Sequence, residues 1–229
     1  PYSISNLTVE TGGKLWTTNA ATNIYLGIYG TTLKCDGTIG DGNNFDGISF
    51  NLEGANILIS GIGTLDCSRV RKNTVVPNGT TNVTIAINMN IRFQSGSTTQ
   101  IYNNTGAASY FNVTVNSGVT VNLVGTSGTG NLAIDGITGA IAGNAGGAYV
   151  VNGTINMNGI LYLTTNNTAN PCSVTINNGG LIRCNSIAAP ASGAVGMHAF
   201  TINTGGRIEV QGTPTAWTTP STLNNTYTL

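Results

Sequence analysis

The stretch "FNVTVNSGVTVNL" at residues 111–123 contains two short runs in which apolar and polar residues alternate. Alternation with a period of two is typical of a β-strand that has one buried face. The segment Asn-Ser-Gly separates the two runs, and these residue types favour a tight turn. The stretch therefore predicts a strand, a turn and a second strand, with the valine side chains facing a core.

The same pattern recurs along the chain at irregular intervals. The copies are "NLTVETGGKLWTT" (6–18), "NVTIAINMNIRF" (82–93), "NGTINMNGILYL" (152–163), "CSVTINNGGLIRC" (172–184) and "AFTINTGGRIEVQ" (199–211). We align them with residues 111–123 on the apolar residue after the central Thr, which is Val9, Ile85, Val115, Ile155, Ile176 or Ile202. A template that repeats every ~20–40 residues favours stacked coils with variable loops over a β-sandwich. We expect one all-β solenoid domain over residues 1–229, with about seven to nine coils.

The composition supports many short strands and excludes several classes of partner. The chain has 31 Asn, 35 Thr and 32 Gly, and only 7% of its residues are charged, against a usual share of about 25%. Eight basic residues balance eight acidic ones, so the surface cannot attract polyanions, and we expect no nucleic-acid partner. No run of ~18 apolar residues occurs, so a membrane-spanning helix is not expected.

The repeated pattern resembles the coils of parallel β-helix proteins, the pectin-lyase-like fold of lyases, phage tailspikes and bacterial adhesins. The composition rich in Asn, Thr and Gly is also similar to that of secreted surface proteins of Bacteroidetes-type bacteria. The resemblance implies a parallel β-helix, right-handed, with ladders of Thr and Asn on its outer faces. The predicted threonine column consists of Thr8, Thr84, Thr114, Thr154, Thr175 and Thr201.

The four cysteines fit such a helix as two disulfides. Cys35 in "TTLKCDG" (31–37) and Cys67 in "GTLDCSR" (63–69) share one frame. Residues one coil apart would stack ~4.8 Å apart, which is within disulfide range, so we expect a Cys35–Cys67 bridge. Cys172 and Cys184 flank a single unit and are expected to bridge its two arms. Buried free thiols are the alternative, whereas disulfides would place the protein in an oxidising, extracellular environment.

Candidate chemistry is sparse in this sequence. The segment "CDGTIGDGNNFDGISF" (35–50) is similar to a sequence motif of polygalacturonase-like chains. The paired carboxylates, Gly-His-Gly and Arg-x-Lys of that family do not occur, so we do not expect an enzyme. Asp36, Asp41 and Asp46 each precede a glycine. They could hold Ca²⁺, the one cofactor considered, but Asp-Gly is also ordinary turn chemistry.

We therefore expect an extracellular structural protein, a self-assembling subunit of a cell-surface filament or an adhesin stalk. Residues 1–10 and 221–229 alternate like spare strands, and either could pair with a neighbouring copy by strand addition. The alternative is a carbohydrate- or surface-binding module that uses exposed aromatic side chains, with Trp16, Trp217, Tyr25, Tyr29 and Tyr162 as candidates. A pectinase-like enzyme that degrades polysaccharides is the third hypothesis.

Overall fold

The structure is a computed structural model. It describes residues 2–17, 24–40, 47–73, 79–93, 101–103, 105, 109–125, 145–162, 164–165, 172–188, 195–196, 199–212 and 226–228. These residues form 26 β-strands, numbered here in chain order, and no helix.

Three parallel sheets form the walls of a solenoid. Sheet 1 contains, in spatial order, β1 (Tyr2–Ile4), β4 (Ile24–Ile28), β7 (Ile48–Leu52), β10 (Arg69–Lys72) and β13 (Ile101–Asn103). Sheet 2 contains β2 (Leu7–Val9), β5 (Thr32–Cys35), β8 (Asn56–Ser60), β11 (Thr80–Ile85), β14 (Ser109–Val115), β16 (Ala145–Val151), β20 (Cys172–Ile176), β24 (Ala199–Ile202) and β26 (Thr226–Thr228). Sheet 3 contains β3 (Lys14–Leu15), β6 (Thr38–Ile39), β9 (Thr64–Cys67), β12 (Met89–Phe93), β15 (Thr120–Gly125), β17 (Thr154–Met157), β21 (Leu181–Cys184) and β25 (Arg207–Val210).

Two pairs of shorter strands extend the later coils. β18 (Ile160–Tyr162) pairs in parallel with β22 (Ser186–Ala188), and β19 (Thr164–Thr165) pairs antiparallel with β23 (Val195–Gly196). The predicted parallel β-solenoid is thus confirmed. Five coils have strands in all three main sheets, fewer than the seven to nine predicted, although sheet 2 extends to nine strands.

The core consists of columns of apolar side chains that stack from coil to coil. One column runs along sheet 2 through Leu7, Leu33, Ile59, Ile85, Val115, Val151, Ile176 and Ile202. A second runs along sheet 3 through Leu15, Ile39, Leu65, Met89, Val121, Ile155, Ile182 and Ile208. Inner members of both columns are at most 2% exposed. Aliphatic stacking of this kind supplies most of the favourable free energy of folding.

Glycines allow the backbone to turn between sheets 2 and 3 without a clash. A Cβ added to Gly63 would lie 2.0 Å from the carbonyl oxygen of Gly37 in the preceding coil. One added to Gly180 would lie 2.1 Å from the oxygen of Val151. These corners need a residue without a side chain, because the backbones of successive coils touch there.

The register of the repeats differs in part from the sequence alignment. Leu7, not Val9, lies in the column with Ile85, and Ile155 belongs to sheet 3 and not to sheet 2. The threonine column is corrected accordingly. One column on sheet 2 contains Thr84, Thr114, Thr175 and Thr201, with Val150 between Thr114 and Thr175. Thr8 belongs to another column, in register with Lys34, and Thr154 lies on sheet 3. A period of two is the same on every sheet, so alternation alone could not assign a strand to its wall.

The structure also corrects the cysteine arrangement. Cys35 ends β5 in sheet 2, where its register partner is Val9, whereas Cys67 ends β9 in sheet 3, where its partner is Ile91. The shared frame therefore marks strands of different walls and not one stacked position. Both residues are buried free thiols, so the predicted bridge is not formed, and the Cys35 Sγ donates to the carbonyl oxygen of Thr64 at 3.2 Å.

The second predicted bridge is not formed either. Cys184 is a buried free thiol, and the side chain of Cys172 lies outside the described part of the structure. Burial raises the pKa of Cys184 to about 11 and raises the pKa values of Cys35 and Cys67 as well. Thiols of this kind are chemically inert at neutral pH, because only the thiolate is a nucleophile.

Candidate functional site

The amino-terminal end of the solenoid presents three strands with open edges. β1, β2 and β3 are the terminal strands of sheets 1, 2 and 3, and each pairs with one strand only. Among the described residues, no helix or further strand covers this end. Open strand edges expose backbone groups that can pair with another chain.

The opposite end has the same character. β25 is the last strand of sheet 3, and β26 is the last strand of sheet 2. Both predicted terminal segments thus contain strands that pair within their own chain, β1 with β4 and β26 with β24. Each has its other edge unpaired among the described strands. Pairing of these edges with a neighbouring copy remains a prediction.

The ends of the core columns are incompletely covered. Leu7 and Leu15 at one end, and Ile208 at the other end of sheet 3, are only partly buried, although they pack against the core. Their neighbours one coil inward, such as Leu33 and Ile182, are fully buried. A further coil stacked on either end would bury the terminal side chains as deeply as the inner ones. Alternation in the sequence predicts which side chains face the core, but it does not show which of them are the last members of a column.

Backbone geometry at β2 shows which groups face the open edge. The carbonyl oxygen of Val9 accepts a hydrogen bond from the N–H of Asp36 at 2.8 Å, so Val9 is directed towards β5. In a parallel strand, successive residues direct their backbone polar groups to opposite neighbours. The N–H and C=O of Thr8 are therefore directed away from the solenoid, towards the space that an incoming strand would occupy.

Side-chain ladders bind the coils together on the outer faces. On sheet 3, Asn122 Nδ2 donates to Asn90 Oδ1 at 2.8 Å, and Asn156 Nδ2 donates to Asn122 Oδ1 at 3.0 Å. Arg183 continues this ladder to Asn156 Oδ1 at 3.1 Å and to Glu209 at 2.7 Å. The asparagine ladders that the resemblance implied are thus present. They stabilise the stack of coils because every bond joins successive turns.

Some candidate aromatic side chains are exposed and others are already engaged. Trp16 is 48% exposed and Tyr29 is 43% exposed. Tyr25 instead lies under the guanidinium of Arg71, with its ring centroid 4.8 Å from Cζ. The side chains of Tyr162 and Trp217 lie outside the described part of the structure.

The predicted calcium ligands are described only in part. Asp36 forms an ion pair of 2.5 Å with Lys34, while Asp41 and Asp46 lie outside the described residues. Within the described ranges, no group of three or more His, Cys, Asp or Glu side chains could hold a metal ion. The calcium site therefore remains a prediction.

One small cleft contains opposite charges. It is lined by Thr17, Gly40, Gly47, Ile48, Asp66, Cys67 and Arg92. The Asp66 Oδ1 and Arg92 Nε atoms are 3.6 Å apart, and Asp66 is buried. One carboxylate that faces one guanidinium forms an ion pair, and it does not supply the two carboxylates that hydrolysis of a glycosidic bond requires.

Comparisons with protein-family models, curated proteins and solved structures gave no significant match. The described part of the chain contains no helix long and apolar enough to cross a membrane. The parallel β-solenoid is therefore established by the strand pairing itself. The relation to pectin-lyase-like proteins or Bacteroidetes-type adhesins remains a resemblance of sequence pattern.

Proposed function

We propose that this protein is an extracellular structural protein, a self-assembling subunit of a cell-surface filament or an adhesin stalk. The observation that carries the proposal is that no described strand or helix covers the outer edge of the last strands at either end of the solenoid. The columns that end at Leu7 and Leu15 could continue on the opposite end of another copy, where Ile208 is the last member of the sheet 3 column. Strand addition at these edges would extend the sheets and bury the terminal side chains.

The charge balance supports association between copies. The formal net charge is +0, with eight basic and eight acidic residues. Soluble monomers usually carry a net charge that keeps copies apart. This chain lacks that repulsion, and the outer ladders consist mainly of neutral amides, so copies can approach end to end without a large electrostatic cost.

Substitution of one edge residue tests assembly while sparing the fold. Thr8→Pro removes the N–H that faces the open edge, and no ladder bond inside the solenoid uses that group. Thr8→Val keeps the N–H and serves as the matched control. We expect filaments in negative-stain images of the unaltered protein and of Thr8→Val at micromolar concentration, and dispersed particles for Thr8→Pro.

Dispersed monomers of the unaltered protein over the same concentration range would reject the filament proposal. Filaments of Thr8→Pro equal in length to those of the unaltered protein would show that this edge is not the contact. Circular dichroism of both variants provides the folding control.

A second candidate function rests on the exposed aromatic side chains of the first two coils. Tyr2 is 73% exposed, and with Trp16 and Tyr29 it could stack on sugar rings. A glycan array tests this carbohydrate-binding function. Binding that is lost in Trp16→Ala but kept in Tyr25→Phe would support it, and an array without signal would reject it.

A further inference from the structure

A polar cluster lies inside the otherwise apolar solenoid, near the corner between sheets 1 and 2. Glu53 and Asn103 are 1% exposed and Lys72 is 0% exposed. Thr81 and Ser109, also 0% exposed, belong to the same region. Lysine and glutamate are almost never fully buried without a specific partner. This cluster therefore requires an explanation beyond packing.

Lys72 and Asn103 occupy stacked positions in successive coils. They are register partners in the parallel pair β10–β13, so their Cα atoms are separated by the inter-strand spacing of ~4.8 Å. Val70 and Ile101, two residues earlier in each strand, are also register partners and are fully buried. Because side chains alternate, Lys72 and Asn103 share this inward face. An amine and a carboxamide thus lie side by side in the core.

We propose that Lys72 and Asn103 react to form an intramolecular isopeptide bond that fastens the fourth coil to the fifth. The Nζ lone pair of neutral Lys72 attacks Cγ of Asn103, and the Nζ–Cγ bond forms. The Cγ–Nδ2 bond then breaks. Glu53 accepts the proton that Nζ loses and delivers it to Nδ2, which leaves as ammonia. The reaction is an amide exchange in which nothing is oxidised or reduced.

Hydrogen bonds around Asn103 favour this attack. Its Oδ1 accepts from the N–H of Thr105 at 3.2 Å, from Thr105 Oγ1 at 2.8 Å and from Ser109 Oγ at 3.3 Å. These donors face the oxygen that gains negative charge when a nucleophile adds to Cγ, as an oxyanion hole does. The Nδ2 atom donates to the carbonyl oxygens of Ser109 and Gly146, each at 3.1 Å. Bonds to a carboxamide lie near its plane, so they leave the faces of Cγ open to the amine.

The surroundings of Lys72 favour the neutral amine. Burial lowers the pKa of Lys72, while the negative charge of Glu53 acts in the opposite direction. The amine donates to Thr81 Oγ1 at 3.0 Å, so it is held inside the solenoid and not at its surface. Glu53 Oε1 accepts from the backbone N–H of Asn73, the residue after Lys72, at 3.1 Å. Of the other described lysines, Lys14 is exposed and Lys34 is only partly buried, in an ion pair with Asp36.

Intact mass spectrometry of the denatured, full-length protein tests the proposal. We expect a mass lower than that of the sequence by one molecule of ammonia. After proteolysis, fragment-ion spectra should show a branched peptide that joins Lys72 to Asn103, and trypsin should not cleave after Lys72. A succinimide at an Asn-Gly sequence such as Asn158–Gly159 also loses ammonia, but it lies within one unbranched peptide. That result, or the full sequence mass, would overturn the proposal.

Variants identify the participating groups. Lys72→Met and Glu53→Gln should each have the full mass of their sequence, whereas the controls Lys34→Met and Glu10→Gln, which lie outside the cluster, should still lack one ammonia. Because Lys72→Met could unfold, the branched peptide from the unaltered protein remains decisive by itself. A Glu53→Gln protein that is fully cross-linked at the same rate would overturn the role of Glu53 as proton carrier.

Discussion

Truncation of one apolar column at its middle or at its end should have different consequences. Ile155 and Ile208 belong to the same sheet 3 column, two coils apart. Ile155 is 0% exposed, whereas Ile208 is partly exposed at the end. Ile155→Ala should lower the free energy of unfolding by about 2–5 kcal/mol, because it combines a lost transfer term with a cavity. Ile208→Ala should lower it by about 1 kcal/mol or less, because water already reaches this side chain.

Urea unfolding of dilute protein, followed by circular dichroism, measures both values. With a slope of about 2 kcal/mol per molar urea, the unfolding midpoint of the Ile155 variant should fall by ~1–2.5 M. End-to-end association should respond in the opposite order, since only Ile208 would be buried by a docking copy. Light scattering against concentration should show weaker association for Ile208→Ala alone. Equal losses of unfolding free energy in the two variants would refute the idea that the column ends at Ile208.

Four further measurements test the packing, the asparagine ladder and the thiols. Gly180→Ala should lower the free energy of unfolding by about 1–3 kcal/mol, because the new methyl group would clash with the backbone of the preceding coil. Gly79→Ala, with nothing within 4 Å of the added Cβ, should lower it much less. Urea unfolding midpoints measure both effects, and equal losses would contradict the need for glycine at the corner. Asn122→Ala should lower the free energy of unfolding by about 1–2 kcal/mol, because it leaves two ladder partners without their bonds. Asn203→Ala removes one bond of an exposed side chain and should lower it by less. Burial raises the pKa of Cys184 from 9.0 to about 11, so the unfolded chain loses this thiol proton at a lower pH than the folded chain. The contribution of Cys184 to stability should be full below pH 9.0 and be lost between pH 9.0 and about 11. The fall should be shallower in Cys184→Ala, in which Cys35 and Cys67 still contribute, and an unchanged slope would contradict the assignment. In the unaltered protein, a thiol reagent should react with Cys184 only after denaturation, and this result would confirm that the cysteine is free and buried.

Much of the fold could be predicted from local patterns. Alternation in "FNVTVNSGVTVNL" fixed which side chains face inward, and Val113, Val115, Val121 and Leu123 are all buried. The turn predicted at Asn-Ser-Gly is also present, because Gly118 adopts a φ of 75°, where an L-residue with a side chain is strained. Such features depend on neighbours within a few residues, so the sequence alone determines them.

Pairing between coils could not be read from the sequence. The frame shared by Cys35 and Cys67 suggested equivalent positions, but their spacing is longer than one coil, as the register pairs Leu33–Ile59 and Ile39–Leu65 show. One cysteine therefore lies on sheet 2 and the other on sheet 3. A strand has the same alternation on any wall, and the wall it joins is decided by contacts with residues 20–40 positions away. For the same reason, the sequence alone could not predict that Lys72 and Asn103 occupy stacked positions.

The sequence by itself determined the repeated strand, its inward face, the turns and the near absence of charge, because each depends on residue type and local spacing. Only the tertiary structure decided which residues stack, that Cys35 and Cys67 lie on different sheets, and that the described residues leave both ends of the sheet 3 column uncovered. These properties arise from the closure of each coil upon the one before it. Burial, register and edge exposure are relations between distant segments, and they exist only once the coils are stacked.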